Sequence, residues 1–225
     1  HLAQRLGASG LAVWTCSRRG SARLQARDLR SAEGLTFELT EGAEVRTLRT
    51  GLMGGYNIDN LLGVIGSLRA LGVSLADAVQ ACTHVTAVPG RMQRVQSVAN
   101  PPNEPLVVVD YAHTPDAVSQ ALRALRSQSV ARGGRLWCVL GCGGDRDAAK
   151  RPLMAAAAEA EADQVLLTSD NPRFESPEAI LAAMVTGLDR PQRVHIQVDR
   201  AQAIADAVAQ AAEVDAVSYT HLTLP

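Results

Sequence analysis

The second half of this chain alternates between short apolar runs and helix-start signals, and this alternation restricts the fold more than any other feature. Four runs have the length and composition of buried strands: PLVVVDY, RLWCVLG, QVLLTS and RVHIQV. The helix-start signals that follow them lie at Thr114-Pro115, near Arg151-Pro152, at Ser176-Pro177-Glu178 and at Asp199. Crossovers of this length favour parallel pairing and right-handed connections. The pattern therefore predicts an α/β fold with a doubly wound parallel sheet.

Three of the four predicted strands end in polar motifs. The first ends in DYAH (residues 110–113), the second is followed by GCGGDR (141–146) and the third by DNPR (170–173). The carboxyl ends of parallel strands meet at one edge of a sheet, which is where ligands bind. We therefore expect the segments 141–146 and 170–173 to form two walls of one site.

The glycine-rich loop can present backbone N–H groups to an anion, because glycines allow a sharp turn beside a helix start. It matches neither G-x-x-x-x-G-K-[ST], which is absent throughout the chain, nor G-x-G-x-x-G, and this disfavours a nucleotide-binding loop. Arg146 offers a planar guanidinium that suits a carboxylate or a phosphate. The alternative for Arg146 is a surface ion pair with Asp145 or Asp147.

The DNPR tetrapeptide is predicted to be a rigid polar projection. Pro172 fixes its own φ and moves Asn171 towards an extended backbone. Asn171 supplies a donor and an acceptor, and Arg173 supplies a second guanidinium. Two arginines directed at one pocket indicate a ligand with carboxylate groups. The alternative is an ordinary turn before a helix.

Two residues of the first polar motif can also reach a ligand. Asp110 can accept a hydrogen bond from a ribose hydroxyl, because it lies at a strand end. His113 can donate a proton or contact a ligand from the same motif. His84 and His195 lack such a setting and are interpreted as structural.

The first half of the chain is organised differently. Residues 1–10 resemble the end of a helix, and the next runs predict three or four strands in an antiparallel meander. An apolar stripe at helical spacing follows and ends at Gly72; its members are Leu61, Ile65, Leu68 and Leu71. Asn57 follows two glycines at the start of this helix, where it can reach a ligand or act as a cap. The turn at 88–91 is the predicted domain boundary.

Composition narrows the class of partner. The net charge of −1 provides no attraction to nucleic acid or to an anionic membrane surface. No apolar run approaches the roughly 20 residues that a membrane span needs, and no signal peptide is visible. The four cysteines are scattered and are expected to be buried reduced thiols rather than metal ligands. These features predict a cytoplasmic globular protein.

Together these motifs resemble the Mur ligase family, most closely the type that adds diaminopimelate. The matching segments are GGYNIDNLLGVIGSL, PGRMQRV, VVVDYAHTPDA, WCVLGCGGDRDAAKRPLM and TSDNPR. The resemblance implies an ATP- and Mg²⁺-dependent amide ligase of peptidoglycan precursor synthesis. ATP would phosphorylate the D-glutamate carboxylate of UDP-MurNAc-L-Ala-D-Glu, and the amine of meso-diaminopimelate would attack the acyl phosphate. The fold implied is the end of a central ATPase domain followed by a Rossmann-like C-terminal domain.

The resemblance also implies roles for individual residues. Nucleotide contacts are expected from Asn57, Arg91, Asp110 and His113. Contacts to the amino-acid substrate are expected from Arg146 and from the motif Asp170, Asn171, Pro172 and Arg173. Lysine-adding relatives depart at the last position of DNPR, and meso-diaminopimelate has a second carboxylate for Arg173 that lysine lacks. No catalytic residue and no metal ligand is assigned in this chain.

The resemblance implies that the chain is one part of a larger enzyme. Residues 1–89 would end the central ATP-binding domain, residues 90–217 would form a truncated C-terminal amino-acid-binding domain, and residues 218–225 would be a non-native tail. The phosphate-binding loop and carbamylated lysine of the family would precede residue 1, and a Gly-Lys-Gly-His-Glu segment is expected after Asp215 but VSYTHLTLP stands there. We therefore expect this chain to be inactive by itself, and separately we expect a monomer. The alternatives are a lysine-adding or other Mur-type ligase and a non-catalytic binding module.

Overall fold

The computed structural model describes residues 2–30, 34–95 and 104–220 and divides the chain into two compact units. The first unit is His1–Ala87 and the second is Val88–Pro225. The N–H of Arg91 donates to the carbonyl of Val88 over 2.9 Å, so the predicted turn opens the second unit. No helix of the described part of the chain has the length and apolarity needed to cross a membrane.

Within residues 2–30 and 34–87, the first unit combines a four-stranded sheet with three helices. In chain order its elements are α1 (Leu2–Ala8), β1 (Cys16–Ser17), β2 (Leu24–Arg30), β3 (Leu35–Glu41), β4 (Glu44–Thr50), α2 (Tyr56–Ala70) and α3 (Leu75–Thr83). The predicted antiparallel meander is confirmed for β2, β3 and β4. It is wrong for β1, which pairs parallel with β2. The loop between them is tightened by Ser17 Oγ, which accepts from the N–H groups of Arg19 and Gly20 and so replaces a hairpin turn.

The core of the first unit lies between this sheet and α2. Leu61 and Ile65 are buried, as the stripe predicts, whereas Leu71 is 82% exposed. The stripe ends before Leu71 because the helix closes there. Gly72 has a left-handed φ of 90° and its N–H donates to the carbonyl of Arg69, an arrangement that glycine allows without strain.

The second unit contains the four predicted β–α units. Its elements are β5 (Gln93–Val95), β6 (Leu106–Asp110), α4 (Pro115–Arg132), β7 (Leu136–Cys142), α5 (Lys150–Glu161), β8 (Gln164–Ser169), α6 (Pro177–Val185), a 3₁₀ turn (Pro191–Arg193), β9 (His195–Gln197), α7 (Arg200–Gln210) and β10 (Ala216–Thr220). The side chains of Thr114, Ser176 and Asp199 accept from the N–H three residues later, so the predicted helix starts are confirmed.

The sheet order is β5-β6-β10-β7-β8-β9, with only β5 antiparallel. Helix α5 packs against both α4 and α6, while α7 packs over β7, β8 and β10. The crossover from β9 to β10 runs back across the sheet, and right-handed connection then places α7 on the opposite face. The predicted doubly wound parallel sheet is confirmed.

Strand β10 includes residues 218–220, the beginning of the segment 218–225 that was expected to be a tail. Residues 216–220 form a strand between β6 and β7, so these two strands are not neighbours. Val217 joins an apolar cluster with Ala203 and Ala207 of α7, while Ser218 and Thr220 are small enough to be buried. Residues 221–225 lie outside the described residues, and the non-native origin of the tail stays a prediction.

Two carboxylates hold the amino-terminal edge of this sheet. Asp215 accepts from the N–H of Arg135 at 2.7 Å, from Trp137 Nε1 at 2.8 Å and from the N–H of Ala212 at 3.1 Å. Asp163 accepts from the N–H of Leu136 at 2.7 Å. Burial raises the pKa of Asp215, but the hydrogen bonds outweigh burial and the net pKa is below its ordinary value.

Candidate functional site

A cavity of about 390 Å³ lies at the carboxyl edge of the second unit's sheet. One wall is the segment 111–113 after β6, and another is the segment 141–143 at the end of β7. The remaining side chains of the lining come from the start of α5 and the loop before it: Arg146, Asp147, Lys150, Arg151 and Met154. Its position at the ends of parallel strands, and three cationic side chains against one carboxylate in the lining, suit an anionic ligand.

Asp110 has a structural role that the sequence did not reveal. It is 7% exposed, and its Oδ2 accepts from the N–H of Met92 at 2.9 Å. Met92 has a left-handed φ of 46°, so this bond fixes a bend after the opening turn of the unit. Burial raises the pKa of Asp110, although the Met92 bond and the charge of Arg91 partly offset that effect. The carboxylate is thus engaged within the protein.

Arg91 and His113 are both exposed and both meet Tyr111. The guanidinium carbon of Arg91 lies 4.4 Å from the centre of the Tyr111 ring, a cation–π contact. His113 Nδ1 lies 3.0 Å from the Tyr111 carbonyl oxygen, and the two rings meet edge to face at 5.0 Å. The structure therefore places these two predicted nucleotide contacts around one aromatic ring, with His113 in the wall of the cavity.

Asn57 lies in the first unit, in the first turn of α2. Its Nδ2 donates to the carbonyl of Met53 at 2.7 Å, and its Oδ1 accepts from Asn60 Nδ2 at 3.0 Å. The helix cap is Gly55, which leaves Asn57 to close the preceding turn. The side chain thus has a local structural role.

The structure brings the two predicted walls, 141–146 and 170–173, into direct contact. The N–H of Gly144 donates to the carbonyl of Asn171 over 2.8 Å. A Cβ atom at Gly144 would lie 1.9 Å from the carbonyl oxygen of Pro172, so only glycine permits this approach. Residues 170–173 are not part of the cavity lining, and the expectation that the two segments form walls of one site stays a prediction. The polar loop backs the glycine loop because the two backbones are already bonded.

Arg146 and Arg173 project from this pair of loops. Both are exposed, and neither guanidinium has a hydrogen-bond or ion-pair partner within the described ranges. The alternative of a pair with Asp145 or Asp147 is not observed, because Asp147 contacts Lys150 at 3.7 Å and Asp145 accepts from the N–H of Phe174 at 3.3 Å. Two cations on bonded loops are therefore available to a ligand.

The DNPR loop is also a turn before a helix, as the alternative proposed. Asn171 Oδ1 accepts from the N–H of Arg173 at 3.3 Å, and Arg173 has a left-handed φ of 52°. This conformation is uncommon for a residue with a long side chain and is often found at functional positions. Turn geometry and ligand contact are compatible here, because the turn is what exposes the Arg173 side chain.

Sequence reasoning missed three residues that hold these loops. Arg151, which is 5% exposed, forms a two-pronged ion pair with Glu175 at 2.8 and 2.6 Å. Arg200 Nη1 donates to the Ser169 carbonyl at 3.2 Å from the first turn of α7. The available signal was the position of each arginine at a helix start beside a polar strand end.

The cavity offers neither a reactive thiol nor, within the described residues, a cluster of metal ligands. Burial raises the pKa of the Cys142 thiol to about 12, with Asp170 adding to the effect and Arg151 opposing it. The thiol is therefore protonated at neutral pH and is a poor nucleophile. Residues 2–30, 34–95 and 104–220 contain no group of three or more His, Cys, Asp or Glu side chains that could hold a metal ion. Cys16 is exposed, against expectation, while the other three cysteines are buried.

Comparison with known proteins agrees with these motifs. The family model described as "Mur ligase, glutamate ligase domain" matches residues 90–220. The UDP-N-acetylmuramoyl-L-alanyl-D-glutamate–2,6-diaminopimelate ligase of Acidovorax sp. (strain JS42) is 51% identical over 213 residues, which are 94% of this chain and 42% of that protein. The protein of the same name from Janthinobacterium sp. (strain Marseille) is 47% identical over 200 residues, which are 88% of this chain and 38% of that protein.

A solved structure gives the same result. An enzyme with that name superposes with a TM-score of 0.65 at 39% identity, covering 92% of this chain and 42% of the solved chain. The chain thus spans about two fifths of the length of the curated relatives it matches. Since the family model covers residues 90–220 of 225, more than half of the sequence, the chain belongs to the Mur ligase family.

Proposed function

We propose that this chain is a segment of an ATP-dependent ligase that joins meso-diaminopimelate to UDP-MurNAc-L-Ala-D-Glu in peptidoglycan precursor synthesis. The observation that carries the proposal is the pair of exposed guanidinium groups of Arg146 and Arg173 on two bonded loops. An amino acid with two carboxylates can occupy two such groups, whereas lysine leaves one unpaired. The names of the relatives that are 51% and 47% identical support the same substrate.

In this proposal residues 1–89 end the ATP-binding domain and residues 90–217 form most of the amino-acid-binding domain. Arg146 and Arg173 bind carboxylates of the incoming amino acid, and the Asn171 side chain adds a donor and an acceptor. Asp170 and Pro172 keep the loop in position. The glycine loop then serves as a scaffold for the amino acid rather than as a phosphate cradle, because Gly144 is packed against Pro172.

The residues near Tyr111 fit a nucleotide in part. Arg91 and His113 are exposed beside this ring, and both can contact a phosphate or a base from there. Asp110 has acceptor capacity left for a ribose hydroxyl, although its Oδ2 already accepts from the N–H of Met92 and the residue is 7% exposed. Asn57 would contact adenine after giving up its bond to Met53. ATP with Mg²⁺ would supply the phosphoryl group that activates the D-glutamate carboxylate.

The proposal is tested by titrating the purified chain with meso-diaminopimelate and with L-lysine in a calorimeter. We expect tighter binding of diaminopimelate, by about tenfold or more, since each hydrogen-bonded charge pair is worth about 1.5–3 kcal/mol. The variant Arg173→Met should lose this preference, while its thermal unfolding should match that of the wild type. Equal binding of both amino acids by the wild type would refute the role of Arg173.

The same preparation tests the expectation that the segment is inactive by itself. With ATP, UDP-MurNAc-L-Ala-D-Glu and diaminopimelate, we expect no release of phosphate above the background rate. Turnover would show that the segments present in the longer relatives but outside this chain are dispensable for the reaction. A preference for lysine in the titration would instead favour a lysine-adding ligase.

A further inference from the structure

The ion pair between Arg151 and Glu175 lies where the glycine loop meets the polar loop. Arg151 belongs to the first turn of α5, and Glu175 follows the DNPR motif by two residues. The Arg151 side chain is 6% exposed, whereas the cations of the other described ion pairs are between 23% and 69% exposed. A cation withdrawn from water to this extent needs a well-formed partner.

The Glu175 carboxylate connects three segments of the chain. Oε1 accepts from Arg151 Nη2 and from the N–H of Asp145, each at 2.6 Å, and Oε2 accepts from Arg151 Nη1 at 2.8 Å. Arg151 Nη2 also lies 3.4 Å from the carbonyl of Gly143. The hydrogen bonds from Arg151 lower the pKa of Glu175, so the carboxylate stays charged at neutral pH. The pair thus ties α5 and the glycine loop to the polar loop.

These bonds lie between the two side chains proposed to bind the amino acid. Arg146 follows Asp145, whose N–H is held by Glu175, and Arg173 precedes Phe174, whose N–H donates to Asp145 at 3.3 Å. On the other side of the polar loop, Arg200 holds the carbonyl of Ser169. The Arg151–Glu175 pair, with the Gly144–Asn171 and Phe174–Asp145 bonds, therefore constrains the two backbone segments that carry the exposed guanidinium groups.

We propose that Arg151 and Glu175 are positioning residues that determine amino-acid selectivity, because they fix the distance between the guanidinium groups of Arg146 and Arg173. This inference rests on the proposed function and extends it from the contacting residues to their support. A ligand with two carboxylates is recognised by the spacing of the cations as well as by their presence. A substitution that weakens the Arg151–Glu175 pair would keep both Arg146 and Arg173 in the chain. The distance between their guanidinium groups would no longer be fixed.

The test uses the 225-residue chain with the variants Glu175→Gln and Arg151→Lys. Glu175→Gln keeps the shape of the side chain and one acceptor, and Arg151→Lys keeps the charge and loses the fork. Arg123→Lys is the matched control, because Arg123 pairs with Glu161 at 2.7 Å while 69% exposed and far from the loops in sequence. Circular dichroism selects variants that remain folded, and Glu175→Gln is the milder of the two.

Two measurements test the positioning role of the Arg151–Glu175 pair separately from the proposed function. Amide hydrogen exchange at Gly144 and Asp145 reports whether the loops remain joined, and titration with meso-diaminopimelate and L-lysine reports selectivity. We expect both pair variants to exchange about tenfold faster at these amides and to lose about tenfold of the preference for diaminopimelate. The Arg123→Lys control should leave both values unchanged.

Each outcome bears on the inference. Faster exchange with an unchanged preference would overturn the selectivity role and leave the pair purely structural. Unchanged exchange in a folded variant would overturn the coupling of the loops. Absence of any preference in the wild type would refute the proposed function and the selectivity role together, whereas the exchange data would still decide whether the pair joins the loops.

Discussion

At the amino-terminal edge of the second unit's sheet, the carboxylates of Asp215 and Asp163 accept hydrogen bonds from within the protein, whereas at the carboxyl edge the guanidinium groups of Arg146 and Arg173 have no partner within the described residues. Asp215 alone accepts from three N–H donors. Arg146 and Arg173 sit on loops that are firmly held, yet their charged ends face solvent. A buried charge that is fully bonded contributes to stability, while an exposed cation on a fixed backbone is available to a ligand.

The carboxyl edge itself divides its arginines in the same way. Arg151 and Arg200 are turned inward and bond Glu175 and the Ser169 carbonyl, while Arg146 and Arg173 are turned outward. The inward pair orders the loops before a ligand arrives, so binding does not have to supply that ordering. Arginines at helix starts thus hold the loops, whereas arginines on the loops themselves are available to a ligand.

Asp215→Asn should have the largest effect on stability. The Asn amide keeps one acceptor oxygen, but its NH₂ group would face N–H donors that now bond to the second carboxylate oxygen. We therefore expect a loss of about 3 kcal/mol in the free energy of unfolding. Urea titration followed by Trp137 fluorescence measures it, in a Trp14→Phe background that leaves one tryptophan. Asp206→Asn is the control: Asp206 is half-buried on α7 and its Oδ1 accepts from Gln202 Nε2 at 2.7 Å, a bond that the Asn oxygen can keep, so stability should change little. A small change in Asp215→Asn would mean that the amino-terminal edge does not carry the stability assigned to it.

Gly144→Ala should have a smaller effect on stability and a selective effect on the site. The added Cβ would lie 1.9 Å from the Pro172 carbonyl oxygen, so the loops must separate. Overpacking of this kind costs about 2 kcal/mol. Trp137 fluorescence in urea measures the loss, and calorimetry should show weaker diaminopimelate binding although no charge is changed.

The matched control for this change is Gly63→Ala in α2. A Cβ at that position meets no atom within 4 Å, so helix propensity alone should raise the stability of the first unit by up to about 1 kcal/mol. Trp14 fluorescence follows that unit. Gly144→Ala that unfolds like the wild type would show that the loops can separate at no cost, and the contrast between the two edges would weaken.

Much of this arrangement could be predicted from the sequence, because local signals and geometry agree. Strand length, the caps at Thr114, Ser176 and Asp199, and the parallel rule were enough to place the four β–α units. Strand β10 was missed, since residues 218–225 were interpreted as a tail in place of the family's Gly-Lys-Gly-His-Glu segment, although Ser218 and Thr220 are small enough to be buried in a strand. Strand order is a long-range property that local patterns do not encode.

The candidate site was predicted only in part, because some of its contacts join residues that are distant in sequence. The exposed residues Arg146 and Arg173 lie in recognisable motifs, whereas Arg151 and Glu175 are 24 residues apart in sequence and nothing local links them. For Asp110 the local signal was present, but the contact that it makes in the structure could not be predicted. Its position at a strand end indicated a ligand contact, but its bond to Met92 depends on how a preceding turn folds back.

The smallest effects concern pH, and they should have opposite signs at the two edges. The pKa of Asp215 is lowered, because the hydrogen bonds from Arg135, Trp137 and Ala212 outweigh the effect of burial. Its contribution to stability is therefore complete above the unfolded value of about 3.9 and is lost as pH falls through the folded pKa. The pKa of Asp110 is raised by burial, so ionisation opposes folding, and stability falls as pH rises from about 3.9 through the folded pKa.

Urea titrations between pH 2.5 and pH 7 distinguish the two cases. Relative to the wild type, Asp215→Asn should lose more stability as pH rises, whereas Asp110→Asn, which can still accept from Met92, should lose less or gain. Each difference is limited to about 1.4 kcal/mol per pH unit, the value for one proton. Parallel curves for Asp110→Asn and the wild type would show that burial of this carboxylate carries no penalty, and slopes of the same sign would remove the electrostatic contrast between the edges. Opposite slopes would place the cost of burying a charge at the carboxyl edge, which carries the candidate site, and the gain at the amino-terminal edge.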